Sequence, residues 1–89
     1  MAVPSKIDAG TASKSLLASN ADGNAVIVYN EPGSAVLYLT LGSVSATTAY
    51  TVQVPAGGYF ELTAKTYRGA ISGIWAAATG ACMVTQVGA

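Results

Sequence analysis

Apolar residues recur along this chain in short runs, most at every second position, and turn-forming residues close each run. Ala25-Val26-Ile27-Val28-Tyr29 is a β-branched run that Asn30-Glu31-Pro32-Gly33 ends with a strong turn signal. Val36 to Leu41 follows, with Leu37, Leu39 and Leu41 on one face at strand spacing. Residues 42–48 read as a polar Ser/Thr loop. Tyr50, Val52 and Val54 then alternate with Thr51 and Gln53, as a half-buried strand requires. Pro55-Ala56-Gly57-Gly58 predicts a hairpin turn in which Gly57 supplies a positive φ. Beyond it, Phe60 and Leu62 alternate with Tyr59, Glu61 and Thr63. Strands over 70–75 and 82–87, joined across 76–81, complete the series, and Ser15-Leu16-Leu17-Ala18 adds a further one ended by residues 20–24.

Six or seven strands at about 8–12-residue spacing predict an all-β fold: a single small antiparallel β-sandwich or barrel over residues 15–89. Ile74 to Ala78 is the one helix-like stretch, and it is too short and too close to Gly73 and Gly80 to form one. Residues 1–14 show no periodicity and read as an extended N-terminal arm.

Charge changes this picture more than any other property. Only 9% of the 89 residues are charged, against about 25% in an ordinary soluble domain. None lies between Glu31 and Glu61 or after Arg68, and the net charge is zero. A neutral surface of Ser, Thr, Ala, Gly and Tyr favours association over solubility, which suits a subunit covered by other protein chains. Nucleic acid is excluded as a partner, since it demands clustered Lys and Arg. No membrane partner is expected either: the longest apolar stretch, Gly73 to Val84, is interrupted by Thr79 and Gly80 and falls short of the roughly 20 residues of a span. The N-terminus has no apolar core of signal-peptide length, so the chain is expected to be soluble and made in the cytoplasm. A single cysteine, Cys82, fits a reducing compartment.

Candidate chemistry is sparse. With no His and one Cys, neither nucleophile–base pairs nor zinc sites can be assembled, so no catalytic residue, metal or cofactor is expected. Cys82 lies in an apolar run and reads as an inert core or interface residue. Asp8, Asp22, Glu31 and Glu61 lack the spacing of a calcium loop; Asp22 reads as part of an Asx-type turn, and Glu61 as an outward strand residue that can pair with Lys65 or Arg68. Gly69-Ala70-Ile71-Ser72-Gly73 lacks the Lys-Ser/Thr of a phosphate loop, so its glycines mark a bulge or a close backbone approach. Tyr29 and the candidate interface residues Tyr38, Tyr50, Tyr59, Tyr67 and Trp75 are the aromatic side chains of a protein interface. A sugar-stacking face is the alternative use for them.

The succession SLLASNADGNAVIVYNEPGSAVLYLTLG, a Ser/Thr loop, YTVQVPAGGYFEL and YRGAISGIWAAATGACMVTQV resembles small β-sandwich proteins of tailed-bacteriophage virions, over roughly Leu16 to Val87. It is carried by the Tyr29-Asn30 turn, the Pro55–Gly58 turn before an aromatic–acidic strand, and the Gly69-to-Trp75 segment leading to a terminal Val84-Thr85 strand. The resemblance implies a non-enzymatic subunit of head-decoration, cementing or fibre-base type. Combined with the low charge, it leads to the expectation of a capsid-stabilising virion protein that self-associates as a homotrimer and contacts the major capsid protein or other virion proteins. A virion-fibre or host-surface glycan-binding module is the alternative.

Overall fold

The described residues form eight strands: β1 (Pro4–Asp8), β2 (Lys14–Leu17), β3 (Ala25–Asn30), β4 (Leu37–Thr40), β5 (Val52–Val54), β6 (Tyr59–Leu62), β7 (Ile71–Trp75) and β8 (Ala81–Val87). The structure is a computed structural model that describes residues 4–20 and 23–87. All pairing between strands is antiparallel, and it is nested. β1 pairs with β8, β2 with β7, β3 with β6 and β4 with β5. The chain is thus one long hairpin, bent at the β4–β5 loop and rolled up so that β8 also meets β3 and β7 meets β4. Two four-stranded sheets result, β1-β8-β3-β6 and β2-β7-β4-β5. This is the eight-strand roll of two packed sheets, the jelly-roll form of β-sandwich.

The all-β class holds, and no helix occurs among the described residues. The number of strands is eight rather than six or seven, because residues 4–8 are not a free arm. Pro4 to Asp8 lie in register against Thr85 to Ala81. Only Ile7 of this strand packs on the core while its neighbours stay exposed, so there was no periodicity to see. Lys14 likewise belongs to β2, not to a preceding arm. A second correction concerns the turns. Pro55–Gly58 does form a turn, with the Gly58 N–H donating to the Pro55 carbonyl at 2.9 Å and Gly57 at φ 75°. It joins β5 of one sheet to β6 of the other, so it is a crossing and not a hairpin. β7 and β8 are split between the sheets in the same way, and only β4–β5 is a hairpin of consecutive strands.

Alternation places the core. Val26 and Val28 from β3, Leu37 and Leu39 from β4, and Val54, Leu62, Ile71, Trp75, Cys82 and Val84 all point between the sheets. Gly73 leaves room for side chains of the two strands beside it in its own sheet: a Cβ there would sit 2.8 Å from Leu37 Cδ1 of β4 and 3.1 Å from Leu16 Cδ1 of β2. Three buried polar side chains hold the ends of the roll. Asn30, read from sequence as a turn residue, is instead the fully buried last residue of β3. Its amide donates to the Ala35 and Val54 carbonyls, both at 2.9 Å, and its Oδ1 accepts from Trp75 Nε1 at 3.2 Å. At the opposite end of β3, Asn20 donates to the Asn24 and Tyr67 carbonyls at 2.9 and 2.8 Å and accepts the Asn24 N–H at 2.9 Å. Ser34 Oγ bridges the N–H and carbonyl of Ala81. Each amide or hydroxyl replaces ladder bonds that the chain loses where it crosses between sheets, the only way a buried crossing is tolerated.

Candidate interaction surface

Of the candidate aromatic residues, only Tyr38 and Tyr50 are brought into ring contact among the described residues. Trp75 is 1% exposed and its indole N–H is committed to Asn30, so it is a core residue that no partner can reach. Tyr67 is half-buried against the core, with its hydroxyl donating to the Ala70 carbonyl at 2.6 Å. It closes the β6–β7 connection. Use of Trp75 as an interface residue does not survive its burial.

Tyr38 and Tyr50 share the outer face of the second sheet. Their ring centroids lie 4.9 Å apart at a tilt of 59°, and Gln53 Nε2 donates to the Tyr50 hydroxyl at 2.6 Å. The loop over 41–50 folds across part of this face. Ser45 is buried there, its Oγ 2.8 Å from both Thr40 Oγ1 and the Tyr38 carbonyl, and its N–H donates to Ser13 Oγ at 2.9 Å. Ser72, on the same outer side of β7, is 1% exposed and its hydroxyl has no hydrogen-bond partner.

The outer face of the first sheet is different. In register across the four strands lie Lys6, Met83, Tyr29 and Tyr59, and in the next row Pro4, Thr85, Ile27 and Glu61. Tyr59 is 69% exposed, Tyr29 37% and Val87 44%. No buried loop lies over this face among the described residues, and its centre is apolar. Of the candidates, only Tyr59 belongs to it. The other members were legible in one signal: β3 is apolar on both sides, with Val26 and Val28 facing in and Ala25, Ile27 and Tyr29 facing out.

Electrostatics adds one group. Burial, and secondarily the charge of Glu31, pushes the Cys82 thiol up to about 12, so it stays protonated and unreactive at neutral pH. Among the described residues no three His, Cys, Asp or Glu side chains converge as metal ligands, and no helix is long and apolar enough to cross a membrane. Asp22 lies outside the described residues. Gly69 to Gly73 runs into β7, where Gly73 meets the Leu37 and Leu16 side chains rather than a backbone. No protein-family model, curated protein or solved structure matches the chain.

Proposed function

We propose that the chain is a non-enzymatic structural subunit of a tailed-phage virion, a head-decoration or cementing protein that adheres in many copies and stabilises the shell. The observation that carries this reading is the open outer face of the first sheet, where Tyr29, Tyr59 and Val87 are exposed around Ile27 and Met83 on a chain of zero net charge. A small protein with such a face gains by being covered. The eight-strand roll is compatible with it, as an architecture that capsid and lectin domains share, and it does not choose between those uses. The partners are further copies of the chain and the major capsid protein or another virion protein. The test is co-sedimentation with purified heads that lack the protein. Binding that saturates at a fixed ratio to capsid protein and raises the heads' thermal disruption temperature supports the assignment. Absence of binding at micromolar concentrations refutes it.

One observation favours the second reading. The Tyr38–Tyr50 pair with the Gln53 amide at 2.6 Å from Tyr50 combines an aromatic platform and a polar donor on a sheet face, the combination a sugar ring would stack on. Saturable binding on a glycan array that Tyr50→Ala abolishes would move the assignment to a host-surface glycan-binding module.

A further inference from the structure

We propose that the outer face of the first sheet is a contact between two copies of this chain, related by a two-fold axis parallel to the strands. This deepens the reading of the chain as a self-associating subunit and rests on it, and the choice of axis comes from the charges. Lys6 stands on the edge strand β1 and Glu61 on the opposite edge strand β6, with the apolar rows between them. Asp8 shares the outer side of β1 with Lys6, so a two-fold perpendicular to the strands would lay this mixed-charge edge over itself and Glu61 near Glu61, with no cation opposite Glu61. The axis parallel to the strands reverses the order of the rows instead. Lys6 then lies over Tyr59 of the second copy and beside its Glu61, a cation–π contact and an ion pair at each edge. In the centre, Met83 lies over Tyr29 of the second copy, a favoured thioether–aromatic pairing, and Thr85 over Ile27. The face is therefore self-complementary, as an isologous contact must be.

The area sets the strength. Strands about 4.8 Å apart and residues about 3.3 Å apart give a face of roughly 19 × 17 Å, so both copies together bury roughly 650 Å² in projection, below the roughly 1,000 Å² of a stable specific interface. The dimer is weak in dilute solution and becomes populated where copies are held side by side. A two-fold contact yields a dimer, so a homotrimer would have to be built on other surfaces.

Charge reversal tests this with the intact chain. Sedimentation velocity on the parent up to millimolar concentration should show a monomer–dimer equilibrium. Lys6→Glu and Glu61→Lys should each weaken it about tenfold or more, because like charges then meet at both edges. The double variant, and an equimolar mixture of the two single variants, should recover it. Thr47→Glu/Thr48→Glu, with the same net charge as Lys6→Glu but placed in the exposed β4–β5 loop, should leave it unchanged, and circular dichroism should show all variants folded. A parent that stays monomeric, or whose self-association ignores the reversals, overturns the inference, whatever the head-binding result. Reversals that abolish head binding but not self-association also overturn it and give the face to the shell, leaving the decoration reading intact.

Discussion

Asn30 ties the first sheet to Val54 and Trp75 of the second, and Asn30→Ala tests how much that tie holds. The substitution removes two donors and one acceptor from a site with no solvent access. The Trp75 indole N–H is left without a partner, and the Ala35 and Val54 carbonyls lose theirs. At about 1–3 kcal/mol for each buried group left unsatisfied, with some relaxation, the expected loss is about 3–6 kcal/mol. At about 0.05–0.15 kcal/mol per residue, a chain of 89 residues is held by roughly 4–13 kcal/mol in all. The variant should therefore be near the edge of folding. Urea denaturation followed by fluorescence of Trp75, the single tryptophan, measures the loss. Asn30→Leu serves as the control for volume, since it fills the space and satisfies nothing. If Leu restores what Ala loses, the cost is a cavity rather than lost hydrogen bonds. If both variants stay within about 1 kcal/mol of the parent, the hydrogen-bonded node does not hold the sheets together and the reasoning is refuted.

Gly80 and Gly33 both have positive φ, 93° and 83°, but only Gly80 is crowded, since a Cβ there would lie 2.1 Å from Ser34 Oγ. Gly80→Ala should thus cost roughly 3 kcal/mol or more and Gly33→Ala only about 1 kcal/mol, as thermal melts would show. Deleting residues 1–8 removes β1 from the first sheet and uncovers the edge of β8; a loss of about 2 kcal/mol or more and aggregation through that edge are expected, by calorimetry and light scattering. A truncated chain as stable and monodisperse as the parent would restore the free-arm picture. Cys82 should resist a thiol reagent at pH 8 in the native state and react in urea. Burial raises its thiol from an ordinary value of 9.0 to about 12, so the folded state holds its proton more tightly than the unfolded one. That contribution to stability is complete below pH 9 and is lost as pH rises from about 9 to about 12. Against Cys82→Ala, the parent should show the steeper alkaline decline.

Local alternation was enough to determine the all-β class, the positions of most strands and the inward residues Leu37, Leu39, Val54 and Leu62, because a two-residue period assigns each side chain to a face. In β3, apolar on both sides, it could not choose Val26 and Val28 over Ile27. Turn chemistry was equally local. Glu31-Pro32-Gly33-Ser34 closes with the Ser34 N–H donating to the Glu31 carbonyl at 3.1 Å, as Pro followed by Gly dictates. Which strands pair was not local. A turn such as Pro55–Gly58 fixes a reversal of direction and says nothing about whether the chain returns to the same sheet, so a crossing looks like a hairpin. β1 was invisible for a related reason. Its single inward contact, Ile7, has no period, and its strand conformation comes from the ladder that β8 offers more than 70 residues later. The candidate site divided along the same line. Composition indicated an aromatic, charge-poor surface, but only the packing of the two sheets sent Trp75 and Tyr67 inward, left Tyr59 and Tyr29 outside, and aligned Lys6 and Glu61 on opposite edges of one face. Residues distant in sequence become neighbours only through the register between strands, and register is a property of the whole roll.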